Sequence, residues 1–274
     1  MRTIMKNHEN VKNSIPDNGV SFYEELLGDY DQMIDWESRL QRETPFFNEL
    51  FSKYDIKNLL DIGCGSGRHA FHFMTLGIES VIGVDPSSKF IEKAKARALA
   101  SGEEISFIEA DFANIIERVS DRFDMVCCLG NSISHVLIYD DLVLTLKNFA
   151  KLAADDGVVL VHCLNWHLRL ANAQRFIPPA SHKTSDSEKL FFRFFDYGDE
   201  LVTMNLAIFS RDSSSIGKWY SRILSTTLRP WRWDILQMAA KDAGLTIKEE
   251  YGGTDLSPYQ PEQSHDYIFT ARNV

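Results

Sequence analysis

The sequence predicts an α/β fold in which a parallel sheet lies between two layers of helices. The first observation behind this prediction is an alternation, between residues 57 and 164, of short apolar runs with amphipathic stretches. The second is that glycines such as Gly77 and Gly102 follow the amphipathic stretches, where they end helices. Strands that alternate with helices at this spacing form βαβ units with right-handed crossovers. The chain has 274 residues, of which 44% are apolar, so it permits one large domain with an ordinary core.

Five parallel strands are predicted, at residues 57–63, 79–85, 105–111, 123–130 and 157–164. The helices between them are predicted at residues 66–77, 86–102 and 140–153. Ligands in such sheets bind beyond the carboxyl ends of the strands, near the point where the strand order reverses. Functional side chains are therefore expected directly after Ile62, Val84, Ala110, Leu129 and Leu164.

The regions on either side of this alternation follow other patterns. The chain is expected to fray up to about Ser21. Helical periodicity runs from residue 30 to about residue 54, where Pro45 predicts a new helix or a kink. Residues 166–229 alternate in the manner of antiparallel strands, which predicts a β insertion, or lid. Residues 231–244 return to a helical pattern.

Two closing strands are predicted to pair antiparallel at one sheet edge. The complete prediction is a Rossmann-like, doubly wound, seven-stranded and mostly parallel sheet, with an N-terminal helical segment and an antiparallel β insertion after the fifth strand. Four parts of the chain correspond to it: a tail and helical cap at 1–54, a ligand-binding core at 55–165, the lid at 166–229 and the C-terminal part of the core at 230–274.

Composition argues against several classes of function. The formal net charge of −10 disfavours unaided binding to nucleic acid or to an anionic membrane. The longest apolar stretch, at 157–164, is much shorter than the roughly 20 residues that cross a bilayer. The four cysteines form no CxxC pair and show no metal-ligand spacing, so they are expected to be buried free thiols. We therefore expect a soluble, cytoplasmic protein that binds no nucleic acid, no membrane and no metal.

The motif "LLDIGCGSGRHA" at 59–70 is the strongest functional signal. Its three glycines, Gly63, Gly65 and Gly67, follow a predicted strand and open a predicted helix. Glycine permits a tight turn and the close approach of a ligand, and a helix N-terminus offers free N–H groups. A turn of this kind by itself could hold NAD, FAD or a mononucleotide.

Two neighbouring residues argue for a different ligand. Arg68 stands where a dinucleotide fingerprint has its last glycine or alanine. Asp61 lies two residues before the first glycine, where a carboxylate would meet a pyrophosphate unfavourably. A carboxylate at that position suits a cationic ligand, such as the amino-acid portion of S-adenosylmethionine.

Acidic residues also end the second and third strands. Asp85 can accept hydrogen bonds from both ribose hydroxyls of a nucleoside, and Asp111 can accept one from an adenine amino group, with Phe112 or Ile62 packing nearby. Each aspartate could instead cap the helix that follows it, although Ser87 can also cap the helix after Asp85. Three acids at three successive strand ends are less expected by chance than any one of them.

Together these motifs resemble the class I S-adenosylmethionine-dependent methyltransferases, and within that class glycine N-methyltransferase and the glycine/sarcosine methyltransferases. The class resemblance covers about residues 57–165 and is carried by "DIGCGSG", "GVDPS", "EADF" and "FDMVCCLGNSISH". The narrower resemblance is carried by "CLGNSISH", "LKNFAKLAADDGVVLVH" and "YGGTDLSPYQPEQ", with weaker support from "DWESRL". The resemblance implies S-adenosylmethionine as cofactor and S-adenosylhomocysteine as its product.

By position, the resemblance also implies the roles of individual residues. The three glycines line the methionine and ribose portions of the cofactor. Asp85 holds the ribose hydroxyls, whereas Asp111 and Phe112 frame the adenine. Leu129 offers its backbone carbonyl to the methionine amine, and Arg39 reaches the cofactor carboxylate from the N-terminal helix.

Two further residues are candidates for the chemical step. Asn131 lies, by the resemblance, near the methyl group that is transferred. His135 follows the fourth strand and could accept a proton from the methyl acceptor, or it could have a structural role bonded to a nearby carbonyl.

The methyl acceptor is the point at which the sequence departs from the resembled group. Leu164 stands where the glycine-acting enzymes carry an arginine that clamps the acceptor's carboxylate. The nearest arginine is Arg169, more than one helical turn onward, and Arg169 or Arg175 could substitute from a different direction. We therefore expect glycine to be a poor acceptor and a larger, less acidic small molecule to be preferred. An amine is the first expectation and a hydroxyl the second, while a non-catalytic nucleotide-binding module is the alternative from another class. The resembled enzymes often assemble through the N-terminal region, which is compatible with a homo-oligomer.

Overall fold

The computed structural model describes residues 19–212 and 218–274. The chain first forms five strands, β1 (Asn58–Ile62), β2 (Ser80–Asp85), β3 (Ser106–Glu109), β4 (Phe123–Cys128) and β5 (Ala153–Leu164). The lid strands follow, β6 (Ala180–Lys183), β7 (Ser187–Tyr197), β8 (Val202–Asp212) and β9 (Tyr220–Leu228). The closing strands are β10 (Leu245–Tyr251) and β11 (Asp266–Asn273).

Four of the described helices lie before β3 in the chain: α1 (Val20–Met33), α2 (Trp36–Tyr54), α3 (Arg68–Thr75) and α4 (Ser88–Ser101). The later helices are α5 (Ile115–Arg118), α6 (Tyr139–Leu152), α7 (Trp166–Ala171) and α8 (Trp233–Asp242). A short 3₁₀ helix, Ser132–His135, follows β4. The short helices α5 and α7 and the 3₁₀ helix were not predicted from the sequence.

The central sheet has seven strands in the order β10-β11-β5-β4-β1-β2-β3. The strands β1 to β5 pair in parallel, whereas β11 pairs antiparallel with both β5 and β10. Buried apolar clusters cover both faces of this sheet. The predicted fold class is therefore confirmed, including the antiparallel edge. The strand order reverses between β1 and β4, so a ligand site is expected at the carboxyl ends of these two strands.

The N-terminal region differs from the prediction in two places. Helix α1 already begins at Val20, inside the segment expected to fray, and residues 1–18 lie outside the described part of the chain. The break between the helices comes at Asp35, whose carboxylate accepts the backbone N–H of Ser38 at 3.2 Å and caps α2. No new helix begins at Pro45, because α2 continues through it. The aromatic side chains of α2 are buried against the core, and this packing outweighs the backbone hydrogen bond that proline cannot donate.

The lid strands form a separate four-stranded antiparallel sheet. Helix α1 packs against this sheet through a buried apolar cluster that includes Leu26 and Phe191. The carboxylate of Asp29 in α1 pairs with Lys189 and Arg222 of the lid, each at 2.6 Å. Helix α1 therefore joins the lid to the rest of the chain.

Two further observations concern the cysteines and the apolar character of the helices. All four cysteines are buried and free, as predicted. No helix within the described ranges has both the length and the apolar character that a membrane span needs.

Candidate active site

A cavity opens at the carboxyl ends of β1, β2 and β4, where the strand order reverses. It encloses about 820 Å³ of empty space, part of which is open to solvent. Its lining includes most of the predicted cofactor-binding residues, namely Arg39, Asp61, Gly63, Gly65, Asp85, Phe112 and Leu129. A second cavity shares Gly63, Phe112 and His135 with it and extends to Asp111.

The glycine-rich turn has the backbone conformation that its sequence suggests. Gly63, Gly65 and Gly67 have φ angles of 76°, 54° and 78°, a region that side chains rarely adopt. A Cβ atom on Gly63 would lie 2.9 Å from the Ser132 hydroxyl at the cavity wall. Gly67 does not line the cavity; it is the N-cap of α3, and a Cβ there would lie 2.7 Å from the ring of Phe107. Gly67 therefore fixes the conformation of the turn through its contact with Phe107 and does not face the cavity.

Asp85 connects this turn to the end of β2. One carboxylate oxygen accepts the N–H of Gly65 at 2.9 Å, and the other accepts the N–H of Ser87 at 3.0 Å. Ser87 itself caps α4 by accepting the N–H of Phe90, so capping is not the role of Asp85. Because each carboxylate oxygen can accept a second hydrogen bond, Asp85 can still receive ribose hydroxyls. Burial raises the pKa of Asp85 to about 6.

Asp61 presents an unsatisfied acceptor to the same cavity. It is almost fully buried, and its Oδ1 atom accepts only a weak bond from the Cys127 thiol at 3.7 Å. Its Oδ2 atom is buried and has no hydrogen-bond partner in the described part of the chain. Burial raises the pKa of Asp61 to about 7. A buried acceptor of this kind is stabilised by a cationic donor, as the sequence predicted for the amino-acid portion of the cofactor.

The raised pKa of Asp61 predicts two opposite dependences on pH. The folded protein holds this proton up to about pH 7, whereas the unfolded chain releases it near the ordinary value of 3.8. The contribution of Asp61 to the stability of the ligand-free protein is therefore complete below pH 3.8 and is lost as the pH rises through about 7. The loss is at most about 1.4 kcal/mol per pH unit. Affinity for S-adenosylhomocysteine should rise over the same window, because the ionised carboxylate attracts the ligand's ammonium group.

Denaturant titrations and calorimetric titrations at several pH values test this prediction. The comparison is between the wild type and Asp61→Asn, in which other titrating groups are retained. Both dependences should be weaker in the variant. Identical pH profiles in the two proteins would contradict the assignment of the buried charge to Asp61.

Donor groups for an anion lie at the opposite wall of the cavity. The Nε atom of Arg39 pairs with Glu43 at 2.8 Å, and His69 holds the other Glu43 oxygen at 2.8 Å. This arrangement fixes the Arg39 side chain while its Nη2 atom lies 3.7 Å from the place where a Cβ on Gly130 would be. Trp36 also lines the cavity, and its buried indole N–H has no partner among the described residues. Sequence reasoning missed Trp36, although it stands in the quoted motif "DWESRL".

The predicted adenine residues lie at the second cavity. One oxygen of Asp111, Oδ1, accepts the N–H groups of Ala113 and Asn114 at 2.9 and 2.8 Å, so Asp111 does stabilise the turn that follows it. Phe112 lines both cavities and packs edge-on against Phe149, with 5.8 Å between ring centroids. The role of Asp111 toward adenine stays a prediction, and only its Oδ2 atom is outside these turn contacts.

The loop after β4 is held by Asn131. Its side-chain oxygen accepts hydrogen bonds from the backbone of Leu164 at 3.1 Å, from Ser134 at 2.9 Å and from the Trp166 indole at 3.3 Å. Asn131 therefore ties this loop to β5 and α7, and its predicted place near the methyl group remains untested. The carbonyl of Leu129, predicted to accept the cofactor amine, also accepts the Ser132 hydroxyl at 2.9 Å.

His135 lies at the boundary of both cavities. Its Nε2 atom is 3.1 Å from the hydroxyl of Tyr23 in α1, so one partner of the imidazole is a phenol. Burial raises the pKa of Tyr23, which keeps the phenol protonated. Tyr23 also lines the first cavity, and the sequence offered no signal for this contact because the two residues are far apart in the chain.

Sequence and fold comparisons relate this chain to known proteins. Residues 59–157 match the family model described as a methyltransferase domain. The solved S-adenosylmethionine-dependent methyltransferase from Clostridium acetobutylicum has the same fold, with a TM-score of 0.74 over 92% of this chain and 98% of that chain, at 16% identity. Residues 59–157 therefore carry a methyltransferase domain, on a fold shared with a solved S-adenosylmethionine-dependent methyltransferase. The predicted resemblance to these enzymes, which implied S-adenosylmethionine as cofactor, is thereby confirmed.

The names of other similar proteins refer to different methyl acceptors. Glycine/sarcosine N-methyltransferase from Aphanothece halophytica is 28% identical over 54% of this chain and 56% of its own length. A ubiquinone biosynthesis O-methyltransferase from Caulobacter is 33% identical over 45% of this chain and 50% of its own length. The chain thus spans about half the length of these curated relatives. The sugar N-methyltransferase KedS8 from Streptoalloteichus shares the fold across 100% of both chains, with a TM-score of 0.69 at 15% identity.

Proposed function

We propose that this methyltransferase transfers the methyl group of S-adenosylmethionine to an amine of a small molecule by in-line displacement, leaving S-adenosylhomocysteine. The observation that carries the proposal is a complementary pair of unsatisfied groups in one cavity. The buried acceptor of Asp61 and the buried donor of Trp36 face the same space, and Arg39 adds a cation. A zwitterionic amino-acid group fits such a pair, with its ammonium at Asp61 and its carboxylate at Trp36 and Arg39.

The residues of the chain contribute mainly binding and orientation. When bound, S-adenosylmethionine supplies a methyl group that is already activated by its sulfonium. Asp85 orients the ribose end, and Asp61 with Arg39 orients the amino-acid end. Holding two reactants in line can contribute about 7–11 kcal/mol to the lowering of a barrier. Helix α1 lies beside the cavity through Tyr23 and Tyr30, and the exclusion of water by such a cover favours a reaction that disperses charge.

The acceptor amine must lose a proton in the course of the reaction, and we infer that His135 receives it. The imidazole lies at the cavity wall, and Tyr23 holds its Nε2 side in place. Asn131 acts as a positioning residue, because its hydrogen bonds fix the loop that carries His135. The same imidazole could serve a hydroxyl acceptor, which needs a base more strongly than a neutral amine does. A screen with isotopically labelled cofactor against amines, amino acids, amino sugars and phenols distinguishes these two acceptor classes.

We expect S-adenosylhomocysteine to stabilise the protein against heat. A ligand present at about 100 times its dissociation constant adds roughly 2.7 kcal/mol to the free energy of unfolding. For a protein of this size that corresponds to an increase in Tm of about 5–10 °C. Thermal denaturation with S-adenosylhomocysteine, with NAD as the control ligand, measures this effect. A response to NAD and none to millimolar S-adenosylhomocysteine would contradict the proposed function.

A further inference from the structure

Arg193, on the lid strand β7, lies in an environment that the binding of S-adenosylmethionine does not explain. Side chains alternate along β7, so Phe191, Arg193 and Phe195 project from the same face. Phe191 belongs to the apolar cluster that joins the lid to α1, while Phe195 packs against Trp166, with 5.6 Å between ring centroids. Arg193 therefore stands between two apolar clusters, on the face of the lid that is turned toward α1.

The guanidinium of Arg193 has no ion pair and no hydrogen bond with any residue in the ranges 19–212 and 218–274. Four other lid arginines are each paired with a carboxylate at 2.6 to 2.9 Å: Arg175 with Asp196, Arg211 with Glu188, Arg222 with Asp29 and Arg229 with Glu200. Arg193 is thus an exception among the arginines of residues 175–229. Burial lowers its pKa, and the charged or ionisable groups that act on it most strongly are Tyr30, Tyr23, Arg169 and Arg39.

A second unpaired guanidinium lies nearby. The Nε and Nη1 atoms of Arg169 in α7 are buried without hydrogen-bond partners in the described chain. Its guanidinium carbon lies 5.9 Å from the ring centroid of Phe195, the neighbour of Arg193 on the inner face of β7. The ionisable groups that act on Arg169 through space are Tyr197 and Asp266, and the carboxylate of Asp266 lies 3.6 Å from the Nε2 atom of His162.

Two partly buried guanidiniums without carboxylate partners are unfavourable in the ligand-free protein. An isolated buried charge loses its hydration, and two like charges repel each other. A ligand with an anionic group would satisfy both guanidiniums, since arginine binds carboxylate and phosphate oxygens in pairs. The carboxylate of the proposed cofactor is already matched by Arg39 and Trp36, which line the first cavity together with Tyr30. The remaining ligand at this site is the methyl acceptor.

We infer that Arg193, supported by Arg169, binds an anionic group of the methyl acceptor, either a carboxylate or a phosphate. This inference rests on the proposed function and narrows its substrate class to amines that carry an acidic group. It also revises the expectation, drawn from Leu164, of a less acidic acceptor. Leu164 packs against the apolar cluster around Trp166 and Phe195, and the cations lie on the lid and on α7 instead of at the end of β5. Arg175 has no such role, because it is exposed and paired with Asp196.

The arrangement also has a chemical consequence for the amine. Two guanidiniums near the acceptor disfavour a further positive charge, so they lower the pKa of the acceptor's ammonium group. The nucleophilic, neutral form of the amine becomes more populated at a given pH. The same residues that select an acidic acceptor therefore help to prepare it for methylation.

The test uses simple anions as probes, because it does not require the natural acceptor. Acetate and phosphate are titrated into the full-length protein saturated with S-adenosylhomocysteine, with acetamide as the uncharged analogue of acetate. The variants are Arg193→Gln and Arg169→Gln, with Arg175→Gln as the matched lid control. We expect acetate or phosphate to bind the wild type and Arg175→Gln, and the dissociation constant to increase at least tenfold in Arg193→Gln. The anion that binds more tightly identifies the acidic group.

A methylation assay supplies the second readout. Glycine and glycinamide, and phosphoethanolamine and ethanolamine, are pairs of amines that differ in the acidic group. Within any pair that is methylated, the acidic member should have the higher kcat/KM in the wild type and lose that advantage in Arg193→Gln. Arg193→Lys should recover part of it, because lysine keeps the charge but not the paired geometry.

The outcomes separate this inference from the proposed function. Anion binding that is equal in the wild type and Arg193→Gln overturns the inference, as does a preference for acetamide over both anions. Failure of S-adenosylhomocysteine to bind any of the folded proteins overturns the proposed function instead. In that case acetate and phosphate are titrated into the ligand-free protein, and loss of their binding in Arg193→Gln would still support the anion site.

Discussion

Replacement of Asp85 by alanine is expected to weaken the binding of S-adenosylhomocysteine by at least about 100-fold. Hydrogen bonds to a charged group contribute about 1.5–3 kcal/mol each, and two ribose hydroxyls would be left without their acceptor. The substitution also frees the N–H of Gly65, which Asp85 holds at 2.9 Å, so the glycine-rich turn loses its fixed position. Isothermal titration calorimetry of the wild type and the variant measures the change. Asp85→Asn keeps one oxygen and should give an intermediate affinity.

The fold itself should survive the change at position 85. Burial raises the pKa of Asp85 to about 6, which means that above that pH the folded, ligand-free protein carries an ionised carboxylate in an unfavourable, buried environment. A neutral side chain there removes this unfavourable charge, so thermal stability at pH values above about 6 should not fall with Asp85→Asn. Asp155→Asn is the matched control, because Asp155 is 92% exposed and pairs only with Arg122. An affinity for S-adenosylhomocysteine that is unchanged in Asp85→Ala would remove Asp85 from the cofactor site.

Gly67→Ala should lower the free energy of unfolding by about 2–5 kcal/mol. This loss is larger than the one expected for a glycine-to-alanine substitution at an unconstrained turn. Part of this loss is the left-handed backbone, at φ 78°, which costs an alanine about 1–2 kcal/mol. The rest arises because the new Cβ would lie 2.7 Å from the buried ring of Phe107. Overpacking of this kind costs about 1–3 kcal/mol in addition.

Gly102→Ala isolates the contribution of the backbone. Gly102 ends α4 with a similar φ of 71°, and no atom lies within 4 Å of a Cβ added there. Its substitution should therefore cost only the backbone component of about 1–2 kcal/mol. Urea denaturation of both variants gives the two free energies of unfolding. Equal losses in Gly67→Ala and Gly102→Ala would show that the Phe107 contact imposes no steric constraint.

The sequence by itself determined the central sheet and the position of the cavity at the carboxyl ends of its strands. Local periodicity distinguishes buried strands from amphipathic helices, and the carboxyl ends of parallel strands must meet at one edge of the sheet. Asp61, the glycine-rich turn and Asp85 could therefore be placed together before any contact was known. The end of the first helix could not be placed from the sequence. Asp35 caps α2, and α2 continues through Pro45 because its aromatic side chains pack against the core.

Tertiary structure alone decided which charged groups remain without partners. The run "LFFRFF" shows an arginine among aromatic residues, but it does not show which arginines of the lid find a carboxylate. Those partners come from other strands and from α1, as Arg222 with Asp29 illustrates, whereas Arg193 meets tyrosines and another arginine. Likewise, Tyr23 reaches His135 only because α1 folds over the strand ends. Ion pairing and burial depend on distances between segments that are remote in the chain, so the residues proposed for the acceptor became recognisable only in the folded molecule.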